Sequence, residues 1–191
     1  MPIRPTSPPD PPLSDGVVTL RPWTRDDVAA IAGACSDPDI ARWLDAVPQP
    51  YGEAEARAYV AHAERGWRGR GGESPFAAVD AETGEVLGSC GVHWVDPEQA
   101  IAEVGYWVRR EARGRGVATR ATRLVAGWVL GTLHYERLQL RADPLNEASC
   151  RVAERAGFTR EGVLRSARFS IRQGRRTDVA VYSLLRGELP A

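Results

Sequence analysis

Short runs of apolar residues separated by turn-forming residues divide this 191-residue chain into strands and helices. The first run, at 17–20, has the composition of a β-strand. Thr24 then stands as an N-cap before two aspartates, and apolar positions recur at helical spacing after it. The same spacing predicts a second helix over 38–44 and a third over 53–67. The first third of the chain therefore predicts one strand followed by three helices.

The middle of the chain has the pattern of an antiparallel hairpin followed by a strand and a helix. The runs 76–79 and 86–95 flank a turn at 82–84, which predicts the hairpin. A third strand is predicted over 100–109. From Val117 to Trp128 the apolar residues share one helical face, so a helix follows that strand directly.

The last third of the chain completes a mixed α/β pattern. It predicts a strand over 137–142, a helix over 146–156, and two strands between 157 and 184 that are joined by a turn at 173–174. The predicted order βααα-βββ-α-β-α-ββ is that of a mixed α/β sheet and differs from a regular βαβ repeat.

Composition adds a boundary near the N-terminus. Six prolines within residues 1–15 exclude a helix there and leave little to bury, which predicts a flexible arm. Residues 16–191 have the length and the apolar content of a single domain.

Charge and cysteine usage exclude several classes of protein. The 25 arginines balance 25 acidic residues, so nucleic acid and anionic membranes are not expected as main partners. No signal peptide or membrane span is visible, and three widely spaced cysteines are typical of thiols in a reducing compartment, which predicts a cytoplasmic protein. His62, His93 and His134 lack metal-ligand spacing, so no metal site is expected.

The clearest candidate for chemistry is the glycine-rich basic turn between strand 100–109 and the helix that follows. The first N–H groups of a helix have no intrahelical partner, and the helix dipole adds partial positive charge there. Glycines remove the Cβ atoms that would keep a ligand away from these donors. The segment therefore suits a pyrophosphate. It reads Arg113-Gly114-Arg115-Gly116-Val117-Ala118.

Other glycine-rich turns are less compatible with this segment. A Walker loop needs a lysine, and the chain contains none. A Rossmann turn needs a third glycine where Thr119 stands. An ordinary strand-to-helix turn, in which the glycines only permit positive φ, remains open on these residues alone.

Two segments resemble one protein family. The turn resembles the Arg/Gln-x-x-Gly-x-Gly/Ala acetyl-coenzyme A signature of the GCN5-related N-acetyltransferase (GNAT) superfamily. A later segment is similar to the N-x-x-S…E-K/R-x-G-F pattern of its RimJ/RimL-like branch. Together the similarity spans roughly residues 17–186. The later segment reads Asn146-Glu147-Ala148-Ser149, followed by Glu154-Arg155-Ala156-Gly157-Phe158.

The resemblance implies a fold and an activity. The fold is a predominantly antiparallel central sheet flanked by helices, with a splayed strand pair at the acetyl-CoA site. The activity is transfer of an acetyl group from acetyl-CoA, the co-substrate, to a primary amine of a protein N-terminus by direct attack. A small-molecule acetyltransferase for an antibiotic or metabolite amine, and a non-catalytic acyl-CoA-binding sensor, remain open alternatives. The branch also allows a homodimer.

The resemblance further implies which residues hold coenzyme A. The backbone of strand 100–109 would hold the acetyl carbonyl and the pantetheine arm, because its parting from strand 137–142 leaves unpaired donors. Asn146 would contact coenzyme A; its alternative role is that of a helix N-cap. The predicted cofactor-binding residues are Tyr106, Trp107, Val108, Arg113, Gly114, Arg115, Gly116, Val117, Ala118 and Asn146.

Glu103 is the first of two candidate catalytic side chains. The period-two rule places it on an apolar face of strand 100–109. Burial there would raise its pKa and suit it to accept the ammonium proton, directly or through water. The alternative is a solvated glutamate without a catalytic role.

Ser149 is the second candidate. Many superfamily members carry a tyrosine, seven residues after the asparagine, that protonates the departing thiolate, but this chain has Ala153 there. Ser149 occupies the position that the RimJ/RimL-like branch uses instead, one helical turn after Asn146. The alternative is a hydroxyl that bonds only to the helix backbone.

The acceptor side carries no recognised pattern. Trp43, Trp94 and Trp107 could line an acceptor cleft, although tryptophans at such positions are more often part of the core. The arginine-rich stretch 165–176 could bind an acidic acceptor, but it is more often a solvated hairpin.

Overall fold

In the part of the chain that the structure describes, eight strands of very different lengths form the framework. The computed structural model describes residues 2, 3, 5, 7–68 and 73–189, with the backbone alone at Arg68. Parts of the predicted arm (residues 1, 4 and 6) and of the predicted domain (69–72, 190 and 191) therefore lie outside the described residues. The strands are β1 (Leu13–Ser14), β2 (Val18–Pro22), β3 (Ser74–Asp80), β4 (Val86–Asp96), β5 (Ile101–Val108), β6 (Arg137–Ala142), β7 (Thr159–Ser170) and β8 (Arg175–Leu185).

Within the described residues, five α-helices connect these strands. Short 3₁₀ turns at Arg25–Asp27 and Arg110–Ala112 lie between main elements, a third at Arg186–Glu188 follows β8, and a π-helical segment, Gly127–Thr132, continues the fourth helix. Within the described residues, no helix combines the length and the apolar character needed to cross a membrane. The helices are α1 (Val28–Cys35), α2 (Pro38–Trp43), α3 (Glu53–Arg68), α4 (Val117–Ala126) and α5 (Glu147–Arg155).

The structure confirms the predicted mixed α/β fold. All eight strands lie in one sheet with the order β1-β2-β3-β4-β5-β6-β8-β7. Every neighbouring pair is antiparallel except β5–β6, which is parallel. The short strand β1 is an addition to the predicted order, and it pairs with β2 from within the proline-rich segment.

The sheet separates two layers of apolar side chains. Alternate residues of β3 point to opposite sides, because successive strand residues face opposite ways. Phe76 packs in the cluster that includes α4, where the Trp128 ring meets it edge-on at 5.5 Å. Ala77 and Val79 pack in the second cluster, with α1 and α3. Helices thus cover both faces of the sheet.

The parallel strands β5 and β6 part after a short paired stretch. Only Ile101–Glu103 of β5 pairs with Arg137–Gln139 of β6. β5 then continues to Val108 and β6 to Ala142. Since the two strands run in the same direction, a gap opens between their C-terminal ends. The splayed strand pair expected from the resemblance is therefore present.

Candidate active site

A cleft of about 980 Å³ opens where β5 and β6 part. Its walls come from both strands, from the first turn of α4, from α5 along its length, and from α2. A volume of this size is typical of sites for cofactors and small molecules. The predicted site residues on its walls are Glu103, Tyr106, Trp107, Val108, Arg113, Gly114, Gly116, Val117, Ala118, Asn146 and Ser149.

Arg115 is the one predicted residue that does not line this cleft. Its guanidinium lies 3.8 Å from the carboxylate of Asp80, and the side chain is half exposed. Gly114 and Gly116 on either side of it line the cleft, whereas the Arg115 side chain points away from it.

The glycine turn exposes the N-terminus of α4 to the cleft. Gly114 and Gly116 have φ values of 77° and 79°, in the left-handed region that glycine adopts without steric cost. The first intrahelical bond runs from the N–H of Arg120 to the carbonyl of Gly116, at 3.0 Å. The N–H groups of the three residues between them therefore lack intrahelical acceptors, as is usual in a first turn. All three residues, 117–119, line the cleft, so a phosphate there would meet backbone donors and the positive end of the helix dipole.

Two aspartates offset part of the positive charge of this turn. The Arg113 guanidinium donates to Asp37 at 2.7 Å and to Asp39 at 3.2 Å. Arg110 bonds to the same two carboxylates. The hydrogen bond from Arg110 is the main cause that lowers the pKa of Asp37 to about 2. These ion pairs tie the turn to the start of α2.

Glu103 is a buried carboxylate with three hydrogen-bonding neighbours. Its side chain is 6% exposed, which excludes the solvated alternative. His93 Nε2 lies 3.0 Å from Oε1, while Gln139 Nε2 and Arg141 Nε lie 2.9 and 2.7 Å from Oε2. Burial raises the pKa of Glu103. The hydrogen bonds and charges of His93 and Arg141 together lower it by more than burial raises it, so the net pKa falls below its ordinary value. The prediction of a raised net pKa was wrong, because it included burial but not the neighbours His93 and Arg141.

Ser149 meets a second hydroxyl group from the sheet. The hydroxyl of Tyr106 lies 2.8 Å from Ser149 Oγ. Burial raises the pKa of this tyrosine, so the phenol keeps its proton at neutral pH. Asn146 is the N-cap of α5, and its side-chain oxygen accepts the N–H of Ser149 at 3.2 Å. Ala153 is fully buried in the core, and the tyrosine whose hydroxyl meets Ser149 comes from β5.

The carboxylate and the hydroxyl pair lie on opposite faces of β5. Residues 103 and 106 are an odd number of positions apart, so their side chains point to opposite sides of the sheet. Both reach the same cleft because the sheet is open beyond the paired stretch of β5 and β6. A molecule that passes through this gap would contact a negative charge on one side and hydroxyl donors on the other.

The aromatic and arginine-rich segments divide between core and cleft. Trp107 stacks on Trp23 in the core, with ring centroids 6.0 Å apart, and it reaches the cleft with only a small exposed area. Trp43 lines the cleft, whereas Trp94 is 42% exposed and does not. In the arginine-rich hairpin, Arg168 lines the cleft and Arg172 donates to the carbonyl of Val47 at 2.8 Å.

Sequence reasoning missed His93, Gln139 and Arg141 as neighbours of Glu103. In the sequence, His93 is considered only as a potential metal ligand. It reaches Glu103 because β4 has a bulge between Val92 and Trp94, and no local sequence pattern predicts this bulge. Within the described part of the chain, no cluster of three or more His, Cys, Asp or Glu side chains is arranged to hold a metal ion.

Comparisons with known proteins agree with this architecture. The model of the acetyltransferase (GNAT) domain matches residues 18–159. The uncharacterized N-acetyltransferase p20 of Bacillus licheniformis is 27% identical over 171 residues, which cover 90% of this chain and 94% of that protein. The ribosomal-protein-serine acetyltransferase of Escherichia coli is 28% identical over 85 residues, or 44% of this chain and 48% of that protein.

A solved structure shares the fold. The ribosomal alpha-N-protein acetyltransferase RimL, in complex with coenzyme A, superposes with a TM-score of 0.80 at 20% identity. The match covers 91% of this chain and 96% of that one. The family model spans most of the sheet together with the glycine turn. The chain belongs to the GNAT family of acetyltransferases and is an acetyl-CoA-dependent N-acetyltransferase.

Proposed function

We propose that the protein acetylates the N-terminal amine of a protein or peptide, and that the reaction takes place in the gap between β5 and β6. One observation carries the proposal: Glu103 and the Tyr106–Ser149 hydroxyl pair flank a single cleft from opposite faces of β5. An amine and a thioester that meet there would have a carboxylate near the nucleophile and hydroxyl donors near the leaving sulfur.

Coenzyme A enters this scheme from the side of α4. Its pyrophosphate binds the N–H groups at the start of α4, beside Gly114 and Gly116. The pantetheine arm then follows β5 along residues 106–108, where β5 lacks its neighbour on the β6 side. This course brings the thioester sulfur toward α5, and Asn146 contacts the arm from the N-cap of that helix.

The reaction is direct attack of the amine on the thioester carbonyl. The amine must first lose a proton, and the Glu103 carboxylate drives that loss, directly or through a group bonded to it. The departing thiolate takes a proton from the Tyr106–Ser149 pair, whose 2.8 Å hydrogen bond lets one hydroxyl be resupplied by the other. Cys150, next to Ser149, is not required as a covalent nucleophile in this scheme.

A protein N-terminus is preferred as acceptor because of one relative. The Escherichia coli protein with 28% identity over 85 residues is a ribosomal-protein-serine acetyltransferase by name. Small-molecule amines are the competing class of acceptor.

A panel of acceptors tests the proposal. Release of free thiol from acetyl-CoA is measured with short peptides that begin with serine, alanine or methionine, with polyamines and with aminoglycosides. The proposal predicts release with at least one peptide and none with the same peptide blocked at its N-terminus. Release with only polyamines or aminoglycosides would reject the protein N-terminus as acceptor, and binding of acetyl-CoA without release by any amine would favour a sensor.

A further inference from the structure

His93 stands between the buried Glu103 carboxylate and the open cleft. The extra residue of the β4 bulge puts its ring next to β5, with Nε2 at 3.0 Å from Glu103 Oε1. The His93 side chain is 54% exposed and lines the cleft, whereas the glutamate side chain is 6% exposed. An amine that enters the cleft therefore reaches the imidazole before it reaches the carboxylate.

The surroundings of Glu103 determine which ring nitrogen of His93 carries the proton. Glu103 also accepts hydrogen bonds from Gln139 and Arg141, and the charge and hydrogen bond of Arg141 favour the ionised carboxylate. An ionised carboxylate only accepts, so Nε2 of His93 must be the donor in their mutual hydrogen bond. In the neutral ring, Nδ1 then holds the free lone pair.

Gly105 provides the space that this nitrogen occupies. A Cβ atom at position 105 would lie 2.9 Å from Nδ1 of His93, a distance that real Cβ atoms essentially never show, and 3.2 Å from Cε1. The ring thus lies directly over Gly105, which itself lines the cleft. A side chain at this position would move the ring away from the cleft wall.

We propose that Nδ1 of His93 is the immediate acceptor of the amine's proton, and that Glu103 is a positioning residue that holds the ring and stabilises the imidazolium. The inference rests on the proposed acetyl transfer and specifies its acceptor side. Histidine suits this task because one ring nitrogen can accept a proton while the other donates a hydrogen bond. The Glu103 carboxylate suits it less, because donors already occupy both of its oxygens.

The proton and electron balance is complete without a further reactant. The ammonium group gives one proton to Nδ1 of His93, which passes it to solvent. The freed lone pair forms the C–N bond, the tetrahedral adduct loses its second N–H proton to solvent, and the C–S bond breaks with its electron pair on sulfur. The sulfur takes a proton from the hydroxyl pair on the other face, and solvent returns a proton to that pair. One proton goes to solvent and one to coenzyme A for each amide formed.

The charged groups around the ring come from three strands. Glu103 on β5 is bonded to His93, and Arg141 on β6 forms an ion pair with Glu103, so the two charges partly cancel. Farther along the cleft wall, Arg168 on β7 lies 3.8 Å from Asp143, which follows β6. The pH dependence of the variants must therefore be compared with that of Glu103→Gln, in which the inner negative charge is absent.

The test is the pH profile of kcat for His93→Gln and His93→Ala, measured with acetyl-CoA and the best peptide of the panel. We expect a loss of roughly 100-fold or more at neutral pH in both variants, the usual contribution of a general base. The loss shrinks at higher pH, where the peptide amine is already neutral. Added imidazole restores activity to His93→Ala and leaves Glu103→Gln, which keeps its histidine, unchanged.

Two controls separate the possible failures. His62 is also paired with a glutamate, Glu73, at 2.8 Å, but it lies outside the cleft, so His62→Gln should match the wild type. Equal affinity for coenzyme A in all variants shows that they are folded. If the wild type is active and the His93→Gln variant keeps both its kcat and its pH profile, the role of His93 is overturned while the proposed acetyl transfer stands. A wild type that releases no thiol with any peptide overturns the proposed acceptor instead.

Discussion

The hydrogen bond between Tyr106 and Ser149 makes a coupled prediction at the scale of single residues. Ser149→Ala and Tyr106→Phe each remove one hydroxyl from a pair that is 2.8 Å apart. Each variant should lose about 10- to 100-fold in kcat, because a positioned proton donor contributes at least that much. The KM for acetyl-CoA should change little. The measurement is thiol release under saturating acetyl-CoA.

The double variant of this pair supplies the control. The proposed mechanism uses both hydroxyls for one proton transfer, so the loss in the double variant should be far smaller than the product of the single losses. Additive losses would show that the two hydroxyls act separately. Unchanged kcat in both single variants would remove the pair from the mechanism.

For single residues, the sequence predicts positions within an element better than it predicts which side chains will be in contact. The motif around Asn146 and Ser149 marks the start of α5 correctly, and the side-chain period puts Glu103 on the buried side of β5. The neighbours of Glu103 could not be predicted, because they lie on other strands and one of them depends on a bulge. The direction of its pKa shift was wrong for the same reason.

The turn before α4 makes a prediction at the scale of an element. At Gly116 the φ of 79° costs a residue with a side chain about 1–2 kcal/mol, although a Cβ there would meet open space. Gly116→Ala should therefore lower the free energy of unfolding by about that amount and weaken coenzyme A binding several-fold, since the N–H donors must shift. Chemical denaturation and calorimetric titration with coenzyme A measure the two effects.

Gly127 is the matched control for this change. It has helical dihedrals, with φ at −57°, and a Cβ atom there would also meet nothing within 4 Å. Alanine is favoured over glycine in a helix by up to about 1 kcal/mol, so Gly127→Ala should not destabilise the protein and should leave coenzyme A binding unchanged. A Gly116→Ala variant that binds coenzyme A like the wild type would show that the turn is only a connector.

Elements with a clear period were predictable, and irregular ones were not. The helix at 53–67 and the strand at 100–109 match α3 and β5 closely, because many side chains in each repeat the apolar period of that element. The short strand β1 was not predicted, since it consists of two residues in a proline-rich segment. The π-helical end of α4 also has no period of its own.

Asp37 makes a prediction at the scale of the whole molecule, whose stability depends on pH. Its folded pKa of about 2 lies below the ordinary value of 3.8, so the unfolded state takes up the proton first as pH falls. The contribution of this carboxylate is complete above about pH 4 and disappears as pH falls toward 2. Because its arginine partners are partly exposed, that contribution should be about 1 kcal/mol or less.

Denaturation of Asp37→Asn between pH 2 and 7 measures this contribution. The variant should be less stable than the wild type at neutral pH, and the difference should vanish near pH 2. Asp26→Asn is the control, because Asp26 is exposed in the 3₁₀ turn before α1. Its stability should match that of the wild type at each pH. A stability difference that is independent of pH would show that the charge of Asp37 is not the cause.

The architecture of the whole molecule explains why the site is where it is. A single parallel pair within an otherwise antiparallel sheet opens one gap, and the α4 turn, the α5 N-cap and the β4 bulge all border it. The family and the sheet could be predicted from two motifs and the element order. The gap brings Glu103 and Tyr106, which lie on opposite faces of β5, to one cleft, and this follows only from the packed sheet.

A structure of the protein with bound coenzyme A tests the central claim, that the reaction takes place in the gap between β5 and β6. The proposed mechanism predicts the pyrophosphate at the N-terminus of α4, the pantetheine arm along residues 106–108, and the sulfur within hydrogen-bond distance of the Tyr106–Ser149 pair. Coenzyme A bound with its sulfur outside this gap, away from both hydroxyls, would contradict it.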